Sequence, residues 1–231
     1  MSAYYAVAYP DRVEIATDGA MYDDDGTVID LRYKAWHSDT LPLAWAGRGN
    51  TIMVDGIGIM LSALAGLGSV DAVLDAFSRA LLRNERLREI PIDGVIGSIS
   101  GDGVPQLHWF TTSDLFEGYD PLVLYDVGPE WAGGPHPHPS TLADYGFPDR
   151  MATSTLGESA ADLFEALRAT RMQHLAHPKQ PWIYGVGGHV DLTTVRASGC
   201  TTERLRTWPD VIGEPIDPAR KGREPGWLEA A

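Results

Sequence analysis

The order in which strand-like and helix-like stretches follow one another constrains this chain most. "AYYAVAY" (3–9) and "RVEIAT" (12–17) are β-rich runs on either side of "PD", which predicts a hairpin. After the turn-rich "TDGAMYDDDGTV", the stretches "LRYKAWHS" and "LPLAWAG" read as two further strands. "NTIMVDGIGIMLSALAGL" (50–67) has helical apolar spacing with Asn50 as its N-cap. "SVDAVLDAFSRALLRNERL" (69–87) repeats apolar residues at 70, 73, 74, 77, 81 and 82 behind a Ser69 cap. "DGVIGSIS", "PQLHWFTT" and "PLVLYDVG" (121–128) then read as strands and residues 129–153 as loop. A third helix is expected over "SAADLFEALRATRMQHLA" (159–176), and a closing strand pair over "HVDLTTVRA" and "CTTERLR", around Ser198-Gly199. Strands and helices therefore come in blocks, without strict alternation. That argues against a doubly wound parallel sheet and for an α+β fold of mostly antiparallel sheets with helices outside.

One domain is expected over residues 1–207, followed by a Pro-rich polar arm or tail over 208–231. The net charge of −14, from 18 basic and 32 acidic residues, argues against nucleic acid, which needs clustered Lys and Arg. Cys200 is the single cysteine, so there is no internal disulfide framework. No secretory signal opens the chain, and the longest apolar run, "IGIMLSALAGLG", is too short to span a bilayer. A cytoplasmic protein without membrane partners is expected. The sequence calls for no cofactor: "AGRGN" lacks the Gly-Lys-Ser/Thr of a phosphate loop, and Ser62, Ser98 and Ser198 sit in no G-x-S-x-G elbow. "DDDG" (23–26) lacks EF-hand spacing, and the pairs His136/His138 and His174/His177 read as loop surface rather than a zinc site.

Apolar strand sequence begins at residue 3, with only Met1 and Ser2 before it. Methionine before a small residue is normally removed, which would make Ser2 the N-terminus. Its hydroxyl could then attack a carbonyl while its own α-amine accepted the proton. A free α-amine has a pKa of about 8, and a nearby cation would lower it. A carboxylate would hold that cation. Asp18 follows Ser2 by sixteen residues, and Lys34 follows Asp18 by sixteen more. Each also has a plainer reading: Asp18 before Gly19 as turn chemistry, Lys34 as an exposed lysine in the third strand.

Over residues 2–50 this pattern resembles the proteasome β subunits and the bacterial HslV peptidase, whose N-terminal threonine is followed by Asp at plus sixteen and Lys at plus thirty-two. "IATDGAMYDDDGTVIDLRYKAW" is similar to the HslV segment, and "LPLAWAGRGN" to the glycine-bearing strand end before the first helix. The resemblance implies a four-layer αββα sandwich over roughly residues 2–200. It also implies Ser2 as nucleophile, Asp18 and Lys34 as its support, a Gly49 N–H in an oxyanion hole and Gly47 shaping the turn. A peptide or small amide would be the substrate, and the chain would form a homo-oligomer, as a ring in that family. The family's G-S-G strand end would fall within "YDVGPEWAGG", where Pro129 follows Gly128. The alternative on the same fold is an inactive scaffold or assembly subunit.

Overall fold

The computed structural model describes residues 3–173 and 179–222. Strands β1 (Tyr4–Tyr9) and β2 (Arg12–Asp18) form the expected hairpin about Pro10-Asp11. A smaller hairpin joins β3 (Ala20–Tyr22) to β4 (Val28–Leu31). "DDDG" is its turn, where Asp23 Oδ1 accepts the N–H of Asp25 at 3.1 Å and of Thr27 at 2.9 Å. Strand β5 spans only Ala35–His37, so Lys34 stands in the connection before it and not in a strand. Just before it, Arg32 N–H bonds the Gly19 carbonyl at 3.0 Å, one step beyond the Ala20–Leu31 pair of the smaller hairpin.

Strand β6 (Leu43–Gly49) runs into α1 (Thr51–Ala65), where Asn50 Oδ1 accepts the Met53 N–H. Helix α2 (Val70–Arg83) starts at its Ser69 cap and ends at Asn84, short of the expected residue 87. Strands β7 (Ile92–Ile99) and β8 (Pro105–Thr111) follow. The 121–128 stretch contributes only β9 (Tyr125–Asp126), since Leu122 turns away at φ 68°. Residues 129–153 are not all loop. They hold β10 (Glu130–Gly133), which pairs with β1, and the short helices α3 (Pro139–Asp144) and α4 (Asp149–Thr153). Helix α5 (Leu156–Arg168) begins at a Thr155–Glu158 capping box and stops well before residue 176. A two-residue pair, β11 (Arg171–Met172) with β12 (Ile183–Tyr184), precedes β13 (His189–Arg196) and β14 (Gly199–Thr207).

The two five-stranded sheets have the orders β10-β1-β2-β13-β14 and β5-β6-β7-β8-β9, antiparallel throughout, as the block order predicts. Alternation along β6 sorts its side chains between two apolar clusters. Leu43 and Trp45 join Phe77, Leu81 and Phe110 against α1 and α2. Ala44 and Ala46 join Ile15, Val95, Trp109 and Val195, which come from both sheets. A third cluster sets Leu163 and Phe164 of α5 against Ala16, Leu192 and Trp208.

The arm expected from residue 208 is docked as far as residue 222. Trp208 and Ile216 are 2% and 4% exposed, and β4 bonds it through Val28 N–H to Glu214 O at 2.9 Å. Among the described residues no helix is long and apolar enough to cross a membrane.

Candidate active site

Asp18 ends β2 with a fully buried carboxylate that accepts from three donor groups. Oδ1 accepts the Ala3 N–H at 2.9 Å, and Lys34 Nζ lies 2.9 Å from both carboxylate oxygens. Gly187 N–H reaches Oδ2 at 3.3 Å. Lys34 Nζ also donates to the Ala20 carbonyl, and its side chain is only 8% exposed. Burial lowers the Lys34 pKa from its ordinary value; Asp18 opposes that shift, and the Arg32 charge adds to it. Burial and the nearby Asp18 charge keep the Tyr22 phenol neutral, well above its usual range.

Both plainer readings are thereby corrected. Asp18 does not cap a turn with its side chain, and Lys34 is not an exposed strand lysine. A buried charge pair of this kind needs all its hydrogen bonds made, and the Ala3 and Gly187 N–H groups complete the carboxylate's shell. Ser2 lies outside the described residues, as do His174 and His177. Ala3, the first described residue, is bonded directly to Asp18.

Gly49 ends β6 at φ 123°, a left-handed conformation, and a Cβ there would collide with the Pro91 carbonyl oxygen. Gly47 lies inside β6, under the Trp45 indole, and so shapes packing rather than a turn. Strand β5 pairs only with Ala44–Ala46 of β6, so among the described residues the edge of Gly47–Gly49 on that side carries no neighbouring strand. That edge faces a cavity of about 640 Å³ lined by Lys34, Trp36, Trp45, Gly47 and Gly49, with the Arg32–Asp55 ion pair on its wall. A second cavity, of about 320 Å³, meets Gly49 from the side of Arg48, Asp93, Pro135 and His136.

Several partners were not visible in the sequence. Gly187 is 169 positions from Asp18. The buried pair Arg48–Asp93 is joined by Tyr4, whose hydroxyl donates to Asp93 Oδ2 at 2.7 Å and accepts from Trp109 Nε1 at 3.0 Å. The glycine-rich "YGVGGH" (184–189) was the one local hint that a backbone passes close to something there. Pro129 is beside Ala8, at the far end of β1 from Asp18. The strand end beside Tyr4 is Gly133-Gly134, followed by a buried Pro135. His138 caps α3, its Nδ1 2.7 Å from Ser140 Oγ, and among the described residues no group of three His, Cys, Asp or Glu could hold a metal. No protein-family model matches this chain, and no curated protein does.

Proposed function

We propose that this chain is an N-terminal-nucleophile amide hydrolase of the proteasome β/HslV kind, with its two sheets and outer helices forming a four-layer αββα sandwich. One observation carries the reading: a buried lysine–carboxylate pair is built at Ala3, the residue that follows Ser2. After Met1 is removed, Ser2 Oγ attacks the amide carbonyl carbon and its proton passes to the Ser2 α-amine. The Lys34 ammonium lowers the pKa of that amine, and Asp18 holds Lys34. The Gly49 N–H steadies the oxyanion. As the amide C–N bond breaks, the amine returns the proton to the leaving nitrogen, and water then hydrolyses the Ser2 ester. The unpaired edge at Gly47–Gly49 suits an extended peptide or a small amide, and the Trp36–Trp45 cavity suits an apolar acyl side chain. A cytoplasmic homo-oligomer is the proposed setting.

The second reading is an inactive scaffold on the same fold. It is favoured by the strand end beside Tyr4, where Gly133, Gly134 and Pro135 offer no side-chain donor. Intact mass of the untagged protein, followed by labelling with a serine-reactive probe, separates the two. The hydrolase reading expects a mass short of one methionine and labelling that Ser2→Ala abolishes. A retained or acetylated Met1, or equal labelling of Ser2→Ala, would leave the scaffold.

A further inference from the structure

Helix α5 ends in Arg168, where a cation complements the helix dipole. Its side chain is fully buried, a costly position for a charge unless it is paired. Nη1 donates to Asp210 Oδ2 at 2.8 Å and to Val186 O at 3.0 Å. Nη2 donates to Asp210 Oδ1 at 2.6 Å and to Asp217 O at 2.7 Å. This is the two-pronged geometry that fixes orientation as well as distance. Asp210 Oδ2 also accepts the Gly188 N–H at 2.7 Å. The pair thus holds the residues on both sides of Gly187.

Gly187 faces the other way. Its N–H donates to Asp18 Oδ2 at 3.3 Å, and its carbonyl accepts from Gly19 at 3.0 Å and Ala20 at 2.9 Å. The fit is close enough that a Cβ on Gly187 would lie 2.6 Å from Asp210 Oδ2 and 2.9 Å from Arg168 Nη1. Apolar side chains of similar volume could have tied α5 to the arm without the desolvation cost of two buried charges. They could not have fixed both neighbours of one backbone N–H.

We infer that the Arg168–Asp210 pair is a positioning device for the candidate site: through Gly187 it sets the carboxylate of Asp18 against Lys34. The residues from Trp208 to Asp217 are therefore a working part of the site. This inference rests on the hydrolase reading for its consequence and on the hydrogen bonds alone for its geometry. Among the described residues the charged and titratable groups facing Lys34 are Asp18 and Arg32, with the Tyr22 hydroxyl beside Asp18, and on the hydrolase reading the Ser2 α-amine joins them. The 186–188 loop has no ionisable side chain, and the pair is net neutral, so the influence is one of position.

The chain has three lysines, Lys34, Lys179 and Lys221, so lysine-selective labelling allows the Lys34 side chain to be titrated by NMR in the full-length protein. Gly187→Ala pushes the loop off the pair, and Asp210→Asn weakens the clamp at nearly constant size. Losing the Gly187 N–H concentrates the Asp18 charge on Lys34, and a looser loop admits water. Both favour the ammonium, so the Lys34 midpoint should rise in each variant. Amide hydrolysis should lose up to about 100-fold in kcat, with KM little changed. Folded variants with an unmoved Lys34 midpoint would overturn the inference. Should either single variant fail to fold, Arg168→Met with Asp210→Leu removes the neutral pair whole and is judged by the same midpoint. A raised midpoint in a chain whose wild type hydrolyses no amide leaves the positioning intact and removes the hydrolase reading. An unmoved midpoint in an active enzyme does the reverse.

Discussion

Two buried ion pairs border the cavities that meet at Gly49, and burial and pairing balance in opposite directions at their cations. Arg48 and Asp93 lie across β6 and β7, with Arg48 Nε 3.1 and 3.0 Å from the two Asp93 oxygens. Burial works against the Arg48 charge, yet Asp93 and Tyr4 outweigh it and raise its pKa. At Lys34 the balance falls the other way: burial outweighs Asp18 and lowers the pKa. A guanidinium stays charged whatever surrounds it, whereas a buried ammonium is readily shifted. The first pair locks two strands together. The second keeps a responsive cation next to the start of β1.

The largest effect that would test this contrast is on the locked pair. Asp93→Ala leaves the Arg48 charge and the Tyr4 hydroxyl without their partner, and should cost about 3–5 kcal/mol in urea denaturation. A loss under 1 kcal/mol would show that the pair locks nothing.

Tyr4→Phe should cost less, about 1–3 kcal/mol, because it orphans the buried Trp109 N–H. It also sharpens the contrast through pH. Burial first, and Asp93 second, raise the Tyr4 pKa well above 10.0, and Tyr22 is raised by burial and Asp18. The unfolded chain then loses these protons before the folded one does. Stability from these two groups is complete below pH 10 and should decline as pH rises beyond it. Thermal melts between neutral pH and pH 11 should show that decline in the wild type and less of it in Tyr4→Phe.

Lys34→Met leaves the buried Asp18 carboxylate without its cation and should cost about 2–3 kcal/mol, less than Asp93→Ala because Asp18 keeps the Ala3 and Gly187 N–H groups. Its labelling by the serine-reactive probe should nevertheless vanish. A stability loss equal to that of Asp93→Ala would make the two pairs equivalent and end the distinction.

Local chemistry was legible where neighbours in sequence are neighbours in space. The Asn50 and Ser69 caps, the opening hairpin and the β13–β14 pair depend on contacts within a few residues, and each formed where the residues predicted. Strand β10 was not legible, because "PEWAGG" acquires its strand character only by pairing with β1 across more than a hundred residues. The end of α5 was missed for a related reason: Arg168 continues a helical pattern, but Asp210 and Asp217 hold its side chain where the chain turns away. The sixteen-residue spacings from Ser2 to Asp18 and from Asp18 to Lys34 suggested the site. They could not distinguish a buried pair from a turn residue and a surface lysine.

The sequence by itself determined the antiparallel α+β class and the main helices and strands, because period, capping and turn chemistry act over short distances. The tertiary structure alone decided that Asp18 and Lys34 are buried together, that Gly187 and Ala3 complete their shell, and that the arm after Trp208 reaches the site. Those outcomes depend on desolvation and on hydrogen bonds between residues far apart in the chain, and neither exists until the sheets and α5 have packed.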